Sequence, residues 1–180
     1  MKHSIIAVAV LSSLFMSAGA FAEGNQQGEL IITGKVVGTT CQFIDGTTAT
    51  IAMNEIGADQ FENVTVGSTV DTYSNKTTVP LKVKCTGDKT PRITFSSSQF
   101  VDSYDNITVN TASNNGAGFA VYYVNNDEEK RITKDGVIEL NGKDTNDLYT
   151  LNFSARYAKS DTSVTSGDVK SALTMTVVTD

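Results

Sequence analysis

"GELIITGKVVGTTC", residues 28–41, places apolar side chains on both faces of a strand: Leu30, Ile32 and Val36 in one phase, Ile31 and Val37 in the other. Gly34 sits in the middle of the first set. Successive side chains of a strand point to opposite sides, so this strand needs cover on both. It lies near the beginning of the chain, where ends usually fray. The stretch therefore raises the question of what it is buried in.

Upstream of it, residues 1–22 have the layout of an export signal, with Lys2 and His3 as a charged start and an apolar run to Met16. Ala20-Phe21-Ala22 forms a small-x-small site, which predicts cleavage between Ala22 and Glu23. The apolar run is shorter than the roughly 20 residues that a bilayer requires. Removing the signal leaves 158 of the 180 residues, enough for one substantial domain. Loss of Lys2 takes the formal charge from -6 to -7. An acidic surface without a basic cluster argues against nucleic acid and anionic lipid as partners, and points to proteins, sugars or further copies of the chain.

The stretch ends on Cys41, and the one other cysteine is Cys85. In an exported chain this predicts a single disulfide, the alternative being two buried free thiols. The only histidine is His3, inside the signal, so the mature chain lacks Ser-His-Asp and Cys-His arrangements and most zinc sites. No Gly-rich phosphate loop or HExxH pattern occurs. The acidic pieces "NNDEEK" (125–130) and "NGKDTND" (141–147) do not follow the EF-hand spacing and are expected at hairpin tips. These features predict neither an enzyme nor a bound cofactor or metal.

Downstream, short runs rich in Thr, Val, Ile, Tyr and Phe alternate with Gly, Asn, Asp and Ser clusters. Strands are predicted over 29–43, 50–53, 77–85, 92–96, 106–109, 118–124, 137–140, 148–157 and 169–178. With no helical pattern between them, they predict an all-β sandwich. In "GFAVYYV" and "YTLNFSARY" the aromatics alternate in phase (Phe119, Val121, Tyr123; Tyr149, Leu151, Phe153, Tyr157), which places them in the core rather than in a sugar-stacking groove.

The C-terminal stretch "SGDVKSALTMTVVTD" supplies the counterpart to the opening one. From Gly167 onward, Val169, Leu173, Met175 and Val177 share one face, interrupted only by Ser171, while Lys170, Ala172, Thr174 and Thr176 occupy the other. That is a half-buried strand running almost to the last residue. A seven-stranded immunoglobulin-like sandwich closes its core with a final strand; without it an edge and the core beneath it lie open. One end thus offers a strand without a home, the other a sheet lacking a strand.

Over essentially the whole mature chain, in order, these segments resemble the major-type pilins of chaperone-usher fimbriae in enteric bacteria. "GELIITGKVVGTTC" is similar to that family's N-terminal extension and first cysteine, and "TVPLKVKC" to the strand bearing the second. "GFAVYYV" and "LNFSARY" are similar to later strands, and "GDVKSALTMTVV" to the closing strand, with Gly167 fourteenth from the C-terminus. Thr179 stands where the family usually has a penultimate aromatic, and no chaperone-binding role is carried over to it. The resemblance implies an incomplete immunoglobulin-like β-sandwich lacking its final strand, completed by a donor strand from another subunit. It divides the chain into a signal peptide (1–22), a donor-strand extension (23–38) and a pilin domain (39–180).

Leu30, Ile32, Gly34 and Val36 correspond to the inserted set of the donor strand, and Gly167, Val169, Leu173, Met175 and Val177 to the acceptor edge. The implied partners are neighbouring fimbrial subunits, a periplasmic assembly chaperone and an outer-membrane usher. The implied location is a cell-surface fimbria that supports adhesion. The alternative is a minor adhesive subunit that binds a host glycan or protein.

Overall fold

A computed structural model of the chain describes residues 40–77, 79–87 and 89–179. The signal, the Ala22/Glu23 junction and the extension with Leu30, Ile32, Gly34 and Val36 lie outside the described residues.

The described residues form β1 (Thr40–Ile44), β2 (Thr69–Lys76), β3 (Leu81–Thr86), β4 (Arg92–Phe95), β5 (Phe100–Val101), β6 (Tyr104–Thr108), β7 (Ala117–Asn125), β8 (Glu128–Arg131), β9 (Val137–Glu139), β10 (Leu148–Lys159) and β11 (Met175–Val178). Two single-turn 3-10 segments, Ala58–Phe61 and Ser97–Gln99, are the only helical pieces among them. All the pairings are antiparallel. One sheet runs β1-β3-β10-β7-β8 and a second β11-β4-β9, while β5 and β6 form a separate pair. The sheets remain open, with β1 and β11 as outer strands.

β10 organises the first sheet. Asn152 to Lys159 pair with β7 on one side, while its other side receives β3 at Leu148 to Leu151 and β2 from Ser154 onward. β2 and β3 thus follow one another along the same edge. The break between them contains Pro80, which has no N–H to donate to a ladder, and Val79, which is 70% exposed.

Alternation decides the packing. In β3, Leu81, Val83 and Cys85 are buried and Lys82 and Lys84 exposed. They meet Ile93, Phe95 and Ile138 of the second sheet, together with Leu151, Phe153 and Tyr123, in the main core. β7 is buried on both faces. Phe119 and Tyr123 face inward, whereas Ala120 and Tyr122 are covered by Ile107 of β6. Its near-continuous apolar run reflects cover on both sides. The disulfide Cys41–Cys85 pins β1 to β3 at directly opposed positions.

Several strand assignments from the pattern need correction. Residues 50–53 are in no ladder, and the ladder at the C-terminus covers only Met175–Val178 rather than 169–178. β2, β5 and β8 were not anticipated. β2 buries only Val70 among its described side chains, so it carries almost no apolar period. β8 is "EEKR", and the two residues before it, Asn126 and Asp127, both adopt positive φ (49° and 65°). Paired positive φ values suit a tight two-residue hairpin, which turns an apparently acidic loop into a strand.

Candidate functional site

Between the outer edges of the two sheets lies a groove of about 900 Å³. Its two rims follow from the chain's path. β1 leads into residues 47–53 on one side, and residues 169–174 lead into β11 on the other. Leu81, Phe119, Val121, Ile132, Phe153 and Tyr157 supply the apolar lining between the rims.

Both rims, 47–53 and 169–174, are strand-like without belonging to a ladder, and the second continues in the same phase into β11. Ala49, Ile51 and Met53 are half-buried, and Thr50 and Ala52 exposed. Opposite them, Val169, Ser171, Leu173, Met175 and Val177 are half-buried, and Lys170, Ala172, Thr174 and Thr176 exposed. Among the described residues, no main-chain hydrogen bond joins 47–53 to 169–174. Two rims with strand periodicity and unlinked backbones can take an extended peptide between them, its main chain bonding to the rims and alternate side chains entering the apolar lining.

Each rim is tied to the rest of the fold by hydrogen bonds. The Asn75 side-chain amide donates to Ala52 O, and the Tyr157 hydroxyl donates to Asn54 O at 2.9 Å. Burial in the first place, and Glu55 in the second, push the Tyr157 phenol above its ordinary range, so the hydroxyl keeps its proton for that bond. On the opposite rim, Thr111 N donates to Lys170 O at 2.7 Å and Ser96 N to Thr174 O at 3.0 Å.

The sequence-derived residues divide as follows. Val169, Leu173 and Met175 line the groove. Val177 lies further along, in β11, packed against the main core. Gly167 lies just outside, in a second, more polar cavity of about 790 Å³ that shares Tyr157, Val169 and Lys170 with the groove. A Cβ at Gly167 would come within 3.2 Å of Ser113 Oγ and 3.3 Å of Asn115 Nδ2, so a side chain there would require these two groups to give way by a few tenths of an ångström. The sequence pattern does not mark the rim 47–53 or Tyr157 as site residues. The signal for the rim was the period of two in Ala49, Ile51 and Met53, which 50–53 had captured only as an ordinary strand. Among the described residues, no group of three or more His, Cys, Asp or Glu could hold a metal ion.

The family described as "Fimbrial protein" matches residues 30–179. The uncharacterized fimbrial-like protein YehD of Escherichia coli K12 is 35% identical over 186 residues spanning both chains completely. In structure the chain is similar to the P pilus rod subunit PapA, with TM-score 0.50 and 15% identity over 84% of this chain and 100% of that one. It is also similar to a subunit from a chaperone-usher pilus whose structure addresses rod uncoiling. The TM-score there is 0.52, with 15% identity over 91% of this chain and 100% of the other. At that identity the two structures speak to the fold: an open, immunoglobulin-like pilin sandwich.

Proposed function

The chain belongs to the fimbrial protein family, and from that premise we propose that it is a structural subunit of a surface fimbria built by the chaperone-usher pathway. The observation that carries the proposal is the apolar groove between two strand-like rims whose backbones are not bonded to one another. Its occupant in the fibre is the 28–38 segment of another copy, or of a companion subunit, within the extension 23–38. Leu30, Ile32 and Val36 enter the lining, and Gly34 lies where a backbone must approach closely. Donor-strand complementation in chaperone-pilin complexes is an established form of β-strand addition; what this sequence contributes is the phase of its donor residues.

The energetics suit a lasting contact. Burying three aliphatic side chains at about 1.5–3 kcal/mol each yields roughly 5–9 kcal/mol before backbone pairing and ordering costs. The contact joins different surfaces of successive copies, so unless its rotation closes it generates an open fibre. On this reading residues 1–22 direct export, the chaperone covers the groove in the periplasm, the usher exchanges it for the donor strand, and residues 39–180 form the pilin domain.

The test is a peptide spanning residues 28–38, added to the chain. Uptake should raise the thermal midpoint and protect the amides of Val169, Ser171 and Leu173 from exchange, and an Ile32→Asp peptide should do neither. A chain deleted for residues 23–37 should accept a donor yet fail to form fibres with its chaperone and usher. Equal uptake of both peptides, or long fibres from the truncated chain, would overturn the proposal.

A further inference from the structure

Resting on the groove being the acceptor, we infer that Asn110 and Gln99 are positioning residues that hold the 168–174 rim in strand geometry before any donor arrives. β4 ends at Phe95, where its pairing with Met175 also ends, and the chain turns away through Ser97–Gln99. Residues 168–174 therefore have no continuous strand alongside. Beside two isolated main-chain bonds, from Thr111 N to Lys170 O and from Ser96 N to Thr174 O, side chains take its place. Asn110 Oδ1 accepts from Lys170 N at 3.0 Å while its Nδ2 donates to Asp168 O at 3.0 Å. The carboxamide thus offers one acceptor and one donor, as a backbone peptide group would. Four residues on, Gln99 Oε1 accepts from Thr174 N at 2.5 Å and its Nε2 donates to Thr174 Oγ1 at 3.1 Å.

Between the two amides the rim is bolted through Ser171. Its hydroxyl donates to Val109 O at 2.8 Å and accepts from the hydroxyl of the fully buried Thr108 at 2.9 Å. Ser171, the one position that broke the apolar alternation, is therefore used for attachment.

The arrangement is selective in a way that suits an acceptor. The N–H and C=O of one strand residue point to the same side, and those of the next residue to the other. The bonds to residues 96–115 use the main-chain groups of Asp168, Lys170 and Thr174. The main-chain groups of Val169, Ser171 and Leu173 make no hydrogen bond among the described residues. Within 168–174 the even positions Asp168, Lys170 and Thr174 are clamped, Ala172 being the exception, and the odd positions are left for the groove. Ordering an extended segment costs conformational entropy, and a rim clamped beforehand removes that cost from the step of donor binding. The amides therefore act on the rate of donor uptake more than on the lifetime of the inserted strand.

The experiment uses the full chain and its Asn110→Ala and Gln99→Ala variants. Amide exchange is read at Lys170 and Thr174, and uptake of the 28–38 peptide is followed by stopped flow. In Asn110→Ala, Lys170 should exchange about tenfold faster, the size expected for one or two lost hydrogen bonds, with Thr174 unchanged. Gln99→Ala should show the reverse. Each should slow association by about tenfold while changing dissociation less than about twofold. Asn110→Asp keeps the acceptor for Lys170 N and loses the donor to Asp168 O, so it should fall between, and it serves as the test if the alanine variant misfolds.

Unaltered exchange at Lys170 in the Asn110 variants, or unaltered association with a wild-type chain that does bind, would overturn the inference. If the wild-type chain takes up no peptide at all, the acceptor reading fails, while the exchange pattern still judges the clamp.

Discussion

The Tyr157 hydroxyl reaches across 103 positions of sequence to donate a 2.9 Å hydrogen bond to Asn54 O. That bond links the middle of the sheet to a groove rim that has no ladder of its own. The Tyr157 ring packs edge-on against Phe61, with centroids 6.3 Å apart, and tilted against Phe119 at 5.1 Å. Tyr157→Phe keeps this packing and removes only the bond, so it should cost about 1 kcal/mol. Tyr157→Ala empties the site and should cost about 3–5 kcal/mol. Urea midpoints of the two variants separate the hydroxyl's share from the ring's.

The same hydroxyl predicts a dependence on alkaline pH. Burial first, and Glu55 second, raise the Tyr157 phenol in the folded chain. A group whose folded value lies above its unfolded one contributes stability that is complete below the unfolded value, about pH 10 for tyrosine. That contribution is lost as the pH rises through the folded value. The stability advantage of wild type over Tyr157→Phe should therefore be constant from neutral pH to about pH 9 and shrink above pH 10. Burial raises Tyr123 as well, but it titrates in both proteins and cancels from the difference. An advantage that stays flat into the alkaline range would refute the linkage.

The disulfide yields a third expectation. Cys41 and Cys85 are 44 positions apart in sequence and directly opposed in the β1–β3 register. Closing a loop of that length stabilises by about 4 kcal/mol in the chain-entropy model. Replacing both cysteines by alanine should lower stability by about that amount. Because β1 has only β3 as a strand partner among the described residues and leads directly into the rim 47–53, the loss should be accompanied by faster amide exchange at Gln42, whose backbone faces Lys84. Comparing oxidised and reduced wild type gives the same quantity without mutation.

How far the sequence could be read is decided by where its apolar residues had to go. Phe119, Val121 and Tyr123 alternate because one face of β7 meets the core, and that period was visible. The cover on its other face, by Ile107, left no signal beyond a run of apolar residues. β2 and β8 bury too little to show a period, and β8 is recognisable only through the positive φ of Asn126 and Asp127. The rim at 169–177 shows the reverse case: its burial alternates throughout, yet only Met175–Val178 is laddered. Alternation records which face is buried and not which backbone groups are paired, so the pattern identified the rim's face and missed that side chains hold it. Asn110 and Gln99 carried no sequence signal because a polar residue in a loop region reads as solvated.

β8 provides the last prediction, since its attachment rests on polar contacts. The Glu129 carboxylate accepts from the Ser154 hydroxyl at 2.7 Å and from the Arg156 guanidinium, which also stacks 4.5 Å over the Tyr122 ring. The ion pair is about one-quarter exposed on each side, and pairs in contact with solvent contribute about 0–1 kcal/mol. Ser154 is fully buried, so its hydroxyl has no recourse to water once the carboxylate is gone. An unsatisfied buried donor costs about 1–3 kcal/mol. The hydrogen bond to Ser154 should therefore outweigh the charge. Glu129→Gln, which keeps an acceptor oxygen, should cost less than about 1 kcal/mol, and Glu129→Ala about 1–3 kcal/mol. In Ser154→Ala the orphaned donor is removed, so adding Glu129→Ala to it should cost about 1 kcal/mol less than in wild type. Equal losses for Gln and Ala at 129, with no coupling to position 154, would assign the effect to the ion pair instead.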